Sequence, residues 1–510
     1  MKELFMKRIH LLCLMFFILL TYLLYKPSLN LDFYWDDYFC IKINSHLDDY
    51  KNIFRAFYDQ RITNGDYVSL SEAAYRPLRT IYFILVCNIF GKNPLVFHFL
   101  SILLHLGVFF LLFKLLLRIN YSNATIAFLF SCLFFFHPLH LENINFIGSS
   151  CDIFGAFFFL LVFNLILNSE KPVNPEKTLL LFVLLYLSVL SKEIFITTPF
   201  ILTVLFFNNK FISRKYLILF NVISLIYLLQ RYMSVPSITY TDLKLNLFYS
   251  IKYCFMTFFE YLKLTICPFD LLQIYPMPSI NETNMTFNVL TGIFIIFIIG
   301  LIALRKYQLL LGLMIVIISC APILNIIPLS SFVGNRLFYF PMLILIIIIY
   351  KNIPENILKS KSKILSGFLI LLNLYSYGFA LIESYKWNHV EKLFQASWYS
   401  SKHETALWNM SIIMMQKKQY REILDFYSAN EINIPENNLP YYYMLLCKAA
   451  GYLGLEKDFL LFYNLMKESN VGKYGGEYLT QDVVQDFKRT VNSFNFDGAK
   501  KVVCDININK

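Results

Sequence analysis

The chain alternates between long apolar runs and short polar turns, and the lengths of the runs decide its class. Apolar stretches run from Ile9 to Tyr25, Val96 to Leu117, Ala124 to Phe136, Ile153 to Leu167, Thr178 to Leu190, Ile194 to Phe207 and Tyr216 to Leu229. Four more run from Phe287 to Leu304, Leu309 to Ile326, Leu337 to Tyr350 and Ile364 to Leu381. Runs near the roughly 17–25 residues that cross a bilayer predict an all-α, polytopic integral membrane protein with about eleven transmembrane helices. Thr80 to Phe90 is too short to span and is read as a surface or re-entrant helix, ended by Gly91-Lys92-Asn93-Pro94. Leu247 to Cys267 carries Lys252, Glu260 and Lys263, and counting it as a crossing would place Arg305 and Lys306 outside. It is read as lying in, or dipping into, the outer leaflet.

Positive residues set the orientation. Lys2, Lys7 and Arg8 precede the first apolar run, and no small-residue cleavage site follows it, so it reads as an uncleaved anchor with a cytoplasmic N-terminus. Lys114 and Arg118, Lys171 and Lys177, and Lys210, Arg214 and Lys215 then fall inside in alternation. Residues 26–95 become the first extracytoplasmic loop, with interfacial helices around Tyr50 to Tyr58. After Tyr385 the chain turns soluble. Ala406 to Lys418 with Tyr420 to Asn430, and Leu439 to Leu455 with Lys457 to Ser469, read as two helical hairpins jointed at Pro435 and Pro440. Trp408 and Tyr442 lie one tetratricopeptide period of about 34 residues apart. The expected division is a membrane domain over 1–384 and a small extracytoplasmic repeat domain over 385–510.

Composition agrees: 57% of the 510 residues are hydrophobic and 15% charged, with 52 Phe and 35 Tyr for lipid-facing and interfacial positions. The net charge of +11 is spread between apolar runs, which is a topology signal and excludes nucleic acid as a partner. The 10 Cys are scattered, with no metal-like pair and no disulfide framework, although Cys40 and Cys151 fall on the oxidising side.

The chemistry is concentrated at predicted outer helix ends. Asp32, Asp36 and Asp37 follow the first span, where burying an ionised carboxylate is costly unless it faces water and does work. Capping or plain solvation is the competing reading. His137, His140, Glu142 and Asp152 share one outer turn; they are acceptable metal ligands, but hydrogen bonding to a sugar or helix-junction packing explains them as well. Arg76, Lys192 and Arg336 sit at outer helix ends, where snorkelling is the alternative to anion binding, and Arg79 reads as a plain interfacial charge.

Four stretches carry a family resemblance. Asp36-Asp37 is trailed by Ile41 and Asn44. Tyr75-Arg76-Pro77-Leu78 leads through Phe90-Gly91, Asn93-Pro94 and His98 to His105. His137-Pro138-Leu139-His140-Leu141-Glu142 leads to Asp152, and Leu190-Ser191-Lys192-Glu193 is followed by Pro199. In order and spacing the chain resembles the transmembrane and tetratricopeptide-repeat O-mannosyltransferases and their bacterial relatives, which are GT-C glycosyltransferases. The match is good from Asp32 to Pro199 and loose from Tyr261 to Pro341. The chain departs from the family's pattern at Asn335, where an acid is usual, at Ser150, where a base is usual, and in its short repeat array.

The resemblance implies transfer of a sugar, mannose first, from a polyprenyl-phosphate donor to an acceptor hydroxyl with inversion on the extracytoplasmic face. It implies Asp36 as general base with Asp37 beside it, and Arg76, Arg336 and Lys192 as donor-phosphate contacts. His137, His140, Glu142, Asp152 and Glu193 become substrate-binding residues. No cofactor is implied, with a divalent cation left open. The acceptor is a protein or a glycan, and the repeat domain would position it or a protein partner. The membrane is the bacterial inner membrane with a periplasmic active site, or the endoplasmic reticulum membrane in a eukaryote. A polysaccharide polymerase or ligase, and a non-catalytic scaffold or transporter, are the rival readings.

Overall fold

The computed structural model describes residues 2–65, 74–119, 123–168, 173–207, 212–235, 247–276, 278, 284–326, 329, 331–429, 439–470, 481–494, 497, 499 and 502. All regular structure among them is helical. The chain divides into two compact units, one of residues 1–271 and 277–388, the other of 272–276 and 389–510.

The first unit begins with α1 (Lys2–Tyr25), followed in the polar loop by the short α2 (Asn52–Arg55) and α3 (Gln60–Asn64). Of the interfacial helices expected around Tyr50 to Tyr58, α2 falls within that stretch, and Asp59 starts the next helix just beyond it by accepting the Arg61 N–H at 3.1 Å. Then come α4 (Pro77–Phe90), α5 (Pro94–Ile119), α6 (Ala124–Phe135), α7 (Leu141–Asn145), α8 (Ser150–Leu167), α9 (Pro175–Ser191) and α10 (Thr198–Phe206). The unit continues with α11 (Arg214–Ser234), α12 (Leu247–Ile266), α13 (Asn284–Ala303), α14 (Tyr307–Cys320), α15 (Tyr339–Lys351), α16 (Glu355–Ser360) and α17 (Ser362–Lys386).

Helix starts follow from local chemistry. Asn123 caps α6 by accepting the Thr125 and Ile126 N–H groups, and Asn174 caps α9 through Lys177, with Pro175 in the first turn. Four helical stretches among the described residues are long and apolar enough to cross a membrane: Pro94–Ile119, Ile147–Leu167, Arg214–Ser234 and the one opened by α17. A fifth arises if Ala124–Phe135 and Pro138–Asn145 form one crossing, bent by 49°. The bend falls at His137-Pro138, where proline has no N–H to continue the ladder. At 26 residues, α5 extends about 39 Å and exceeds the hydrocarbon thickness. The protein is thus a multi-pass membrane protein.

Inside the first unit α8 packs between α5 and α9. The approach is close because residue 155 is glycine: a Cβ there would stand 2.1 Å from the Phe195 ring. Asn164 of α8 donates to the Leu111 carbonyl of α5 at 2.9 Å, a polar tie across the helices. Beneath the outer turns, His105 meets the Tyr339 hydroxyl at 2.7 Å and the Phe135 carbonyl at 3.1 Å, joining α5, α15 and α6.

The second unit contains α18 (Val390–Ser401), α19 (Glu404–Gln416), α20 (Tyr420–Ala429), α21 (Leu439–Tyr452), α22 (Glu456–Asn470) and α23 (Gln481–Asn492). Consecutive helices from α18 to α22 pack on one another, and α23 packs on α21. The rings of Trp408 and Tyr442 lie 5.6 Å apart at 81°, an edge-to-face contact between α19 and α21. Pro435, expected at a joint, lies outside the described residues. The helix α18 was not anticipated, since the soluble composition after Tyr385 carried no start signal for it.

Candidate functional site

The two adjacent acids occupy different environments. Asp37 is buried, and its carboxylate accepts the backbone N–H of Ile147 at 2.8 Å and of Gly148 at 2.7 Å. It ties the first loop to the turn before α8. Residue 148 has to be small: a Cβ there would come within 2.7 Å of the Phe146 ring and 3.2 Å of the Asp37 oxygen. Asp36 is exposed and makes no hydrogen bond or ion pair among the described residues. Asp32, the third acid of the stretch, pairs with Lys42 at 2.9 Å on the surface.

Trp35 precedes these acids with φ of +56°, a left-handed conformation that costs a bulky side chain energy and must be held by its surroundings. Its indole stacks on Phe146 with centroids 5.2 Å apart and planes at 26°. The Arg336 guanidinium lies over both rings, 4.4 Å from Trp35 and 5.2 Å from Phe146. The sandwich turns the Asp36-Asp37 corner towards Arg336.

Three ion pairs join the motif segments. Arg336 pairs with Glu142, and its carbonyl accepts from Asn143 at 3.1 Å. Lys192 meets Asp152 at 2.6 Å, with 5% and 0% of the side chains exposed. Arg76 meets Glu193 at 3.2 Å, each about one quarter exposed or less. Segments far apart in sequence are thus brought together in one polar region on the first unit.

The rings of His137 and His140 lie 5.8 Å apart but have different partners. His137 faces the Thr265 carbonyl at 3.0 Å, whereas His140 is enclosed by the rings of Phe134 and Tyr339, with centroids 4.4 and 4.6 Å away. Neither ring nitrogen of His140 has a hydrogen-bond partner among the described residues. Among the described residues no group of three or more His, Cys, Asp or Glu is placed to hold a metal ion. Cys40 and Cys151 are both buried and free.

Further buried atoms with no hydrogen-bond partner among the described residues gather in the same region, on Glu142, Asn143, Asn145, Ser149, Ser150, Asp152 and Glu193. Buried polar groups are nearly always bonded, so such a concentration marks a place prepared for a polar ligand or water. Sequence reasoning had named Glu142, Asp152 and Glu193 as site residues and had missed Asn143, Asn145 and Ser149. Arg79, read as an interfacial charge, is only 4% exposed: it sits in the first turn of α4, three residues after Arg76. Trp35, Phe146 and Gly148 were also missed, since nothing local to them signals a ligand.

The acids' protonation follows from this setting. Asp36 keeps an exposed face, but the protein packed around its carboxylate desolvates it and raises its pKa above the usual carboxylate value, opposed by the charges of Arg336, Arg79 and Arg76. Asp37 is held well above that value by burial. The two backbone N–H groups and Arg79 pull it down, and the charge of Asp36 pushes it up. The arrangement offers one open carboxylate, one anchored carboxylate and a wall of cations.

Fold and site together define a multi-pass, all-helical membrane protein with a charged polar site at its helix ends. The chain is 34% identical over 145 residues to protein O-mannosyl-transferase TMTC2 of Homo sapiens, a match covering 27% of this chain and 16% of that protein. Protein O-mannosyl-transferase TMTC1 of Mus musculus is 34% identical over 95 residues, 19% of this chain and 10% of the relative. The TMTC2 protein of Xenopus laevis is 33% identical over 143 residues, 27% of this chain and 16% of the relative. The resemblance read from the motifs is therefore shown by curated relatives, with the matches spanning no more than about a sixth of those relatives' length. No family model matches the chain, and no solved structure matches it.

Proposed function

We propose that this chain is a membrane glycosyltransferase of GT-C type. It moves a sugar, mannose as the first candidate, from a polyprenyl-phosphate carrier to a hydroxyl on the extracytoplasmic face. The observation that carries the reading is the division of labour between the acids: Asp37 spends both oxygens on backbone N–H groups, and Asp36 is exposed and feels the charges of three arginines. The names of the curated relatives, protein O-mannosyl-transferases, support a protein hydroxyl as the acceptor.

In this mechanism the acceptor oxygen attacks the anomeric carbon from the face opposite the phosphate. The bond from that carbon to the phosphate oxygen breaks, the configuration inverts and polyprenyl phosphate leaves. Asp36 takes the acceptor's proton, and a raised pKa makes it a stronger base than an ordinary carboxylate. Arg76 and Arg336 supply positive charge where negative charge develops on the leaving phosphate. Lys192 acts within its pair with Asp152, while Asp152, Glu142, Glu193, His137 and His140 line the sugar's path. The eleven-span count and a tetratricopeptide-like second unit that receives the acceptor belong to the same proposal. So does the extracytoplasmic side, in a bacterial inner membrane or an endoplasmic reticulum membrane.

The test is transfer of radiolabelled sugar from a panel of polyprenyl-phosphate sugars in membranes carrying the wild type, Asp36→Asn or Asp37→Asn. Loss of a general base is expected to lower transfer about 10²–10⁴-fold in Asp36→Asn at normal protein level. Unchanged transfer in that variant would remove Asp36 from the role, and no transfer from any donor would remove the transferase reading.

A further inference from the structure

Every cation that the motifs mark in the site is already balanced by an acid. Arg76 has Glu193, Lys192 has Asp152 and Arg336 has Glu142. Arg79 differs. It is 4% exposed, yet among the described residues its guanidinium makes no hydrogen bond and no ion pair, and its Nε is buried without a partner. Its guanidinium carbon lies over the Phe83 ring, 5.5 Å from the centroid. A buried guanidinium without hydrogen-bonded partners is costly, and Arg is the side chain whose planar fork fits phosphate oxygens.

Its position gives that cost a purpose. The charge of Arg79 is felt by Asp36, Asp37, Cys40 and Cys151, so it faces the corner of the first loop and the start of α8. It also stands in the first turn of α4, a helix of 14 residues opening with Pro77, where free N–H groups favour an anion. The two observations are independent: one is an unpaired buried cation, the other a helix terminus.

We propose that Arg79 binds a phosphate oxyanion directly, and that this is the phosphate of the lipid-linked donor. The guanidinium then gains its partner only when the ligand is bound, and the anion is held beside the Asp36 carboxylate, where the sugar's anomeric carbon has to sit. Arg76 and Arg336 supply their charge from within their acid pairs, while Arg79 makes the direct contact. The inference rests on the transferase reading for the identity of the ligand, but not for the presence of an anion site.

The experiment uses the full chain in lipid nanodiscs and measures binding of a polyprenyl phosphate, of the matching polyprenol without phosphate, and of inorganic pyrophosphate. Wild type is compared with Arg79→Gln, Arg79→Lys and Asp36→Asn, with a thermal melt for each. Polyprenyl phosphate is expected to bind wild type and Asp36→Asn, to weaken about 10- to 100-fold in Arg79→Gln and by less in Arg79→Lys, as expected for lost charge-assisted hydrogen bonds. Polyprenol binding should not change between variants. Equal binding of polyprenyl phosphate by wild type and Arg79→Gln overturns the proposal and leaves the transferase reading intact. Pyrophosphate binding that depends on Arg79, with no binding of polyprenyl phosphate, keeps the anion site and overturns the lipid-linked donor. Binding of neither anion by the wild type overturns the proposal. Should Arg79→Gln fail to fold, Arg79→Lys decides, because it keeps the charge and loses the fork.

Discussion

The buried Lys192–Asp152 pair makes the sharpest statement about how the site is held. At 2.6 Å and an effective dielectric near 20, the two charges attract by about 6 kcal/mol, but removing both from water costs several kcal/mol per ion. The pair is therefore near balance as a pair and far from balance when halved. Lys192→Met leaves Asp152 fully buried without its counter-charge and with Oδ1 already lacking a partner, and should cost about 3–5 kcal/mol of stability. Asp152→Leu should cost a similar amount by stranding the lysine. The double variant removes both charges and should return to within about 1–2 kcal/mol of wild type, since apolar replacements of a buried pair are often neutral.

The assay is reversible unfolding in mixed micelles, with the four proteins of the cycle at one pH and one detergent composition. A coupling of about 2 kcal/mol or more is expected from the cycle. If the single losses simply add in the double variant, the pair does not act as a unit and the reasoning fails. Transfer activity measured on the same samples separates two roles. Because Asp152 also offers an unpartnered oxygen to the site, the double variant should regain stability without regaining transfer.

Three further outcomes follow from the site's geometry. As a base Asp36 works only when ionised, so transfer should fall as pH drops through its raised pKa, and Arg336→Gln, which removes a charge that lowers that pKa, should move this acid limb to higher pH. A kcat/KM profile in which the limb stays in place or moves down would contradict the assignment. Gly148→Ala puts a methyl 2.7 Å from the Phe146 ring, and is expected to cost about 1–3 kcal/mol and weaken transfer by disturbing Asp37, read by unfolding and by label incorporation. Asp37→Ala strands the Ile147 and Gly148 N–H groups, at about 1–3 kcal/mol each, and should lower stability where Asp36→Asn does not.

How much of this was legible in the sequence depends on the range of the interaction. Apolar run length is a local property, so the helices α5, α8, α11 and α17 fall close to the expected segments. The bend at His137-Pro138 is a different matter, because a run of suitable length says nothing about direction and Pro138 was read only as part of a motif. The motif residues were legible as a set, but their pairing was not. Arg76 meets Glu193 across 117 positions and Arg336 meets Glu142 across 194, and no periodicity encodes such partners. Arg79 shows the limit most clearly. One turn beyond Arg76 at a helix end, it has the local pattern of a snorkelling charge, and only the three-dimensional tally separates the two arginines. Each marked cation has found a marked acid, which leaves the unmarked arginine with no hydrogen-bonded partner among the described residues. A site that balances its conspicuous charges and keeps one inconspicuous charge unpaired is better suited to gripping and releasing an anionic ligand than one whose every cation must first abandon an acid.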